Sequence, residues 1–306
     1  YDILMHRAVD YLSGTESYLT KPVYDFVLND PKAFSPATAF AASTFPVTDS
    51  FSSTWQALNW YQQLIAFRLQ DASHVAALLD ADLKRLRFVY DNILLDAKDS
   101  LYQSSLQQLS IKFNSNPESS LVDYYIAQQL IQQAAQWENN PGSPHRLAYN
   151  KAIEICTKAI ERFPDAYGSK LCRTLIQQIE QKSVSAAVES INLPGEELLA
   201  KLEYRNISSV HLKIVRLPQS PRRWRGDAWD GDEILRRLNQ LPAQKTWEQT
   251  FDDGGDHQPH TTEFGLPSLP VGHYALLVSD SENFESNKAT SGTIMFTVSS
   301  LGYWYI

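Results

Sequence analysis

Leu198-Leu199-Ala200-Lys201-Leu202-Glu203-Tyr204-Arg205 is the stretch that decides the fold. Leu198, Ala200, Leu202 and Tyr204 are apolar and alternate with Glu197, Lys201, Glu203 and Arg205, the two-residue period of a strand with one buried face. The pattern recurs where Val210, Leu212 and Ile214 alternate with His211 and Lys213, at Tyr274, Leu276 and Val278, and at Ile294, Phe296 and Val298. Together with 185–191, 245–251 and 260–264, this predicts seven strands in about 115 residues, the size and count of an immunoglobulin-like sandwich without that family's cysteine pair. A short helix over 232–238 interrupts them. Leu193-Pro194-Gly195 and Leu269-Pro270-Val271-Gly272 supply turns.

Upstream of about residue 184 the period is helical. Leu79, Leu83, Leu86 and Tyr90 step along one face, as do Val122, Tyr125, Ile126, Gln129 and Leu130. Ala152, Ile155, Cys156, Ala159, Ile160 and Phe163 fill one side of a helix whose other side carries Lys151, Glu154, Lys158, Glu161 and Arg162. Pro164 ends it, since proline restricts the residue before it and donates no hydrogen bond. Helices are predicted over 2–13, 55–69, 74–95, 97–114, 119–138, 145–163 and 167–181, with 14–54 as a long loop with short turns. Ala152-x3-Cys156-x2-Ala159-x4-Pro164 has the spacing of the second helix of a tetratricopeptide unit, small residues admitting a close neighbour and proline breaking the chain. The fold class expected is therefore α+β and multidomain. An all-α region of repeat-like antiparallel helix pairs spans 1–183, and a seven-stranded antiparallel β-sandwich spans 184–306.

Bulk composition narrows the function. The 306 residues are 43% hydrophobic and 20% charged, as in an ordinary globular protein, and the net charge is −8. An acidic chain is a poor partner for nucleic acid, which is bound through clustered Lys and Arg. The one dense basic run, Arg222-Arg223-Trp224-Arg225, has acids close behind it and reads as a solvated loop. No window approaches the roughly 18 apolar residues of a membrane span. Tyr1 opens the chain inside an amphipathic pattern, and it closes on Gly302-Tyr303-Trp304-Tyr305-Ile306, so both ends are expected to be cut from a longer polypeptide.

Several clusters invite a chemical reading. Asp252-Asp253-Gly254-Gly255-Asp256-His257-Gln258-Pro259-His260 groups carboxylates and imidazoles, but its spacing matches no zinc or calcium loop, and a bare turn is favoured. Asp227-Ala228-Trp229-Asp230-Gly231-Asp232-Glu233 lacks the alternation of a calcium loop, and Asp230 or Asp232 capping the short helix explains it. There is no Gly-x-Ser-x-Gly, His-Glu-x-x-His or phosphate-binding glycine loop. The expectation is a non-enzyme with no cofactor and no metal. Cys156 and Cys172, the only two cysteines, lie eight residues either side of Pro164, so a helix hairpin turning there sets them opposite each other on apolar stripes. Cysteines so placed are most often simply buried.

The order of these parts resembles the N-terminal region of bacterial alpha-2-macroglobulin family proteins, in particular the long Bacteroidetes versions. The resemblance rests on Tyr1-Asp2-Ile3-Leu4…His6-Arg7-Ala8, Leu28-Asn29-Asp30-Pro31, Leu64-Ile65-Ala66-Phe67 and Asp82-Leu83…Arg85-Leu86…Phe88-Val89. It continues through Cys156…Ala159-Ile160…Arg162-Phe163-Pro164…Cys172-Arg173, Leu193-Pro194-Gly195 and Tyr204-Arg205-Asn206, with Leu269-Pro270-Val271-Gly272-His273-Tyr274 as the turn-to-strand signature of a macroglobulin-type β domain. The family implies a secreted, periplasmic or lipid-anchored surface protein that engages proteases, together with the remaining domains of its own polypeptide. Its thioester motif is absent, since neither cysteine is followed by Glu and Gln, and no bait segment can be named. An oxidising compartment, implied by the resemblance, makes a Cys156–Cys172 disulfide an open alternative to two buried thiols. The alternative function is a carbohydrate- or protein-binding module of a surface polysaccharide-uptake system, for which Trp224 and Trp229 are the candidate ligand platform.

Overall fold

A computed structural model describes residues 2–13, 25–46, 49–71, 73–138, 143–226, 230–284 and 290–301. The chain is mixed α and β, with helices first and then two antiparallel-dominated sheets. Its contacts divide it into two compact units, Tyr1–Gln132 with Lys151–Ile176, and Gln133–Asn150 with Gln177–Ile306. Among the described residues the class changes between Ile179 and Ser183.

The first unit is built on α1 (Asp2–Leu12), α2 (Ala37–Ala42), α3 (Ser53–Leu69), α4 (Val75–Asn92) and α5 (Lys98–Lys112). It also holds most of α6 (Ser119–Ala134), α7 (Ala148–Arg162) and α8 (Tyr167–Ile179). The stretch read as a loop with short turns over 14–54 has, in its described part, one such turn and, beyond that reading, the short helix α2. A 3-10 turn, Pro31–Phe34, precedes α2, started by Pro31 and by Asp30, whose carboxylate accepts from Lys32 N at 2.9 Å. Elements this short lie below the length at which periodicity is legible. They are held by Arg85 of α4, which is 1% exposed. Its Nη1 donates to Ala33 O at 2.5 Å, its guanidinium lies 4.6 Å from the Phe40 ring centroid, and it pairs with the equally buried Asp82. Burial lowers the Arg85 pKa while Asp82 opposes that shift, so the two charges are best buried together.

The start of α8 lies against the first turn of α6. A Cβ on Gly168 would sit 2.2 Å from Leu121 N, a separation that only glycine permits. Ser169 Oγ donates to Ala159 O at 3.1 Å, which ties α8 to α7. Arg162 donates to Asp123 at 2.5 Å and to Ser119 Oγ at 3.3 Å.

The second unit contains a three-stranded sheet in the order β1 (Ser183–Val188), β3 (Leu198–Arg205), β6 (His260–Leu266). A five-stranded sheet has the order β2 (Ile191–Asn192), β8 (Ser291–Val298), β7 (Gly272–Ser279), β4 (Ser209–Leu217), β5 (Ala243–Thr250). The inward residues of both sheets form one hydrophobic cluster, with Ala200, Leu202 and Tyr204 on one side and Val210, Leu212, Ile214, Leu276 and Phe296 on the other. The strand expected over 185–191 is corrected to two. The chain leaves the first sheet after Val188 and re-enters the second as β2, parallel to β8, so the described residues form eight strands rather than seven. Two short helices, α9 (Pro221–Arg225) and α10 (Gly231–Asn239), fill the connection from β4 to β5. Ile234, Leu235 and Leu238 of α10 cover Val215, Leu217, Ala275 and Leu277 on the outer face of the larger sheet. β4 and β7 are therefore buried on both sides, which is why Tyr274-Ala275-Leu276-Leu277-Val278 is a continuous apolar run. Tyr274 Oη donates to Pro270 O at 2.9 Å, the tyrosine-corner arrangement of immunoglobulin-like sandwiches. A Cβ on Gly272 would crowd the Tyr274 hydroxyl at 3.2 Å.

Candidate functional site: the loop from Asp252 to His260

A dense polar cluster of the second unit is the loop joining β5 to β6. Asp252 and Asp253 fold it by accepting from the backbone N of Gly254 and Gly255, at 2.9 and 3.2 Å. Both glycines have positive φ, 66° and 57°, as two successive left-handed residues require. The turn delivers Asp256, fully buried, to the centre of the cluster. Its Oδ2 accepts from Arg146 Nε at 2.8 Å. Its Oδ1 accepts from Gln258 N at 3.0 Å and meets His260 Nε2 at 2.8 Å. Burial alone would raise the Asp256 carboxyl, but the hydrogen bonds from Arg146, Gln258 N and His260 outweigh it and hold it below the usual carboxylate value.

Around that carboxylate the loop is tied to neighbouring backbone. Asn150 donates to Gly255 O at 2.9 Å, and Gln258 Nε2 donates to Ala134 O at 3.3 Å. Arg205 donates to His257 O at 2.7 Å and to Ile179 O at 3.1 Å, while its guanidinium covers the Tyr149 ring at 4.7 Å. His257 and Asn206, both at positive φ, meet through Nδ1 and Oδ1 at 2.8 Å. The Trp137 ring packs edge-on to His260 and the Tyr204 ring stacks on it, with centroids at 5.6 and 5.8 Å.

The Asp256–His260 pair has the outline of a base and its orienting carboxylate. The third component is missing. Among the described residues no hydrogen bond joins His260 to a Ser, Thr or Cys, and its two ring contacts are aromatic. Both Asp256 oxygens are committed, and no group of three or more described His, Cys, Asp or Glu side chains is arranged to hold a metal ion. The arrangement ties the loop to neighbouring backbone: three of the four lone-pair positions of Asp256 are taken, and no described Ser, Thr or Cys is hydrogen-bonded to His260 to serve as nucleophile. A second grouping, Asp71, Ser73 and His74, lies at the exposed start of α4. Ser73 Oγ and Asp71 Oδ2 both approach the same ring nitrogen, His74 Nδ1, at 2.9 and 2.7 Å, so no proton can be relayed through the ring.

The other predicted residues fall as follows. Cys156 and Cys172 are buried, free thiols close enough to interact. The Cys156 thiol pKa is pushed up, first by its hydrogen bond with Cys172 and then by burial. Asp230 caps α10, accepting from Asp232 N at 3.0 Å. Trp224 is half-buried against the α10 cluster, and the Arg237 guanidinium covers one of its faces at 4.6 Å. Trp229 lies outside the described residues, as do Asp227, Ala228 and 302–306. Sequence reading singled out the Asp252–His260 loop but missed Arg146, Arg205 and Asn206. Tyr204-Arg205-Asn206, already noted for the family resemblance, was the available signal.

Comparison with protein-family models gives no match, and comparison with curated proteins gives no significant one. No described helix is long and apolar enough to cross a membrane.

Proposed function

We propose that the chain is a non-catalytic scaffold and interaction segment of a secreted, periplasmic or surface-anchored protease-inhibitor protein of the alpha-2-macroglobulin type. In this reading the helices are antiparallel pairs resembling tetratricopeptide units, and the strands form a macroglobulin-like sandwich. Its partners are the remaining domains of the same polypeptide and, through them, proteases.

The observation that carries the reading is the closure of the polar clusters. Asp256, the carboxylate most like a catalytic one, spends both oxygens on Arg146, Gln258 N and His260. Triad-type catalysis needs a nucleophile hydrogen-bonded to the base, and a protein metal site needs several convergent ligands; among the described residues neither stands beside this pair. The tyrosine corner at Tyr274 supports the sandwich assignment, on the motif that carries the resemblance.

The test is a titration of tryptophan fluorescence with oligosaccharides, run beside turnover assays on peptide, ester and glycoside substrates. The scaffold reading expects neither saturable quenching nor turnover. Saturable quenching by a sugar would instead establish the carbohydrate-binding alternative, and turnover abolished by one substitution would establish an enzyme.

A further inference from the structure

The first unit contains a small pocket between the 3-10 turn, α4 and α5. Its volume is about 120 Å³. Phe34, Leu86, Leu109 and Phe113 contribute apolar wall, and Asp82 and Arg85 supply the polar part of the lining. Both charged residues are at least 98% buried, so water is a minor partner for either.

Their hydrogen bonds leave capacity on each side of the pair. Arg85 has five N–H groups. Nε and one Nη2 hydrogen go to Asp82 Oδ1, and one Nη1 hydrogen goes to Ala33 O. Two N–H groups therefore have no acceptor among the described residues. Asp82 uses only Oδ1, and its Oδ2 accepts nothing among the described residues. Lys112, the other charged lining residue, is exposed. The buried part of the pocket thus carries one positive and one negative group that already neutralise each other. A further charge there would be desolvated without a counter-charge, whereas a neutral group that both donates and accepts would meet both vacant positions.

We propose that this pocket binds a small neutral molecule with an apolar body and one hydroxyl or primary amide. The hydroxyl or amide accepts from Arg85 and donates to Asp82 Oδ2, while the body lies against Phe34, Leu86, Leu109 and Phe113. The size follows from the volume, since a cavity of about 150 Å³ accommodates benzene. At about 120 Å³ this pocket encloses about five non-hydrogen atoms, and the remainder of a slightly larger probe projects past the exposed rim at Gln108 and Lys112.

The experiment uses the full chain and four probes: phenol with benzene, and isobutyramide with isobutyrate. The first pair differs by the hydroxyl, the second by charge at nearly constant shape. Binding is read by ligand-observed NMR and by the rise in unfolding midpoint, up to about 10 mM, the range in which ligands of this size saturate a good site. Phenol and isobutyramide are expected to bind saturably, and benzene and isobutyrate about tenfold more weakly or worse, the cost of one unmet buried hydrogen bond or an unpaired charge. Leu78→Trp, which fills the pocket, is expected to abolish binding. Gln108→Trp, at an exposed lining position, does the same should the first variant fail to fold. Absence of saturable binding by phenol and isobutyramide, equal affinity for either control probe, or binding that survives in a folded blocked variant would overturn the proposal.

Discussion

Cys156 and Cys172 show how much a single pair of residues can reveal. Their equal spacing about Pro164 set them on facing stripes, and the two thiols lie close enough to interact, between helices tied together by the Ser169 bond to Ala159 O. Sequence cannot decide whether they are joined, because bonding depends on the compartment and on a few tenths of an ångström. We predict that protein isolated from an oxidising compartment has no free thiol when unfolded without reductant. Closing a loop of this length contributes about 3 kcal/mol, so reduction lowers its stability by roughly that amount. Two free thiols in the unfolded, unreduced protein would remove the disulfide. In the reduced protein, Cys156 should instead resist alkylation in the native state, since burial and its interaction with Cys172 disfavour the thiolate.

Among the elements, alternation made the strands legible because one face of each meets the core. Where both faces are buried the signal changes. Tyr274-Ala275-Leu276-Leu277-Val278 has no polar positions, and the reason is α10, whose apolar face lies on the outer side of β4 and β7. The helix itself was legible; the surface it covers was not, because contact between elements leaves no mark in local spacing. The same limit hid the sheet switch after Val188, where Glu189 and Ser190 separate two stretches that look continuous in sequence. Leu238→Ala tests this third layer. Leu238 is fully buried, and truncation of such a leucine costs about 2–5 kcal/mol through lost transfer energy and the cavity left behind. Denaturant unfolding followed by tryptophan fluorescence would give the value, and a loss below about 0.5 kcal/mol, the size of an ordinary surface effect, would show that α10 does not cover the sheet in solution.

For the molecule as a whole, the central claim is that polar clusters with the appearance of chemistry hold structure instead. The loop Asp252–His260 was singled out from sequence by its composition, and its glycines correctly marked a turn. Its purpose was hidden because Arg146, Asn150, Arg205 and Asn206 come from distant parts of the chain, and only folding brings them to Asp256 and its neighbours. The clasp makes a pH-dependent contribution whose sign is fixed. The folded Asp256 carboxyl lies below its ordinary value, so its stabilisation is complete above the unfolded carboxylate pKa of about 3.9 and is lost as the pH falls through the lower folded value. Equilibrium unfolding of the intact chain and of Asp256→Asn, from neutral to acid pH, tests the claim most directly, with turnover and ligand titrations run on both proteins. The variant is expected to be less stable by about 2 kcal/mol at neutral pH, the value of a charge-assisted buried hydrogen bond with a half-exposed Arg146 as partner, and the gap to narrow in acid. Equal stability at neutral pH, together with an activity or binding function lost in Asp256→Asn, would contradict the claim.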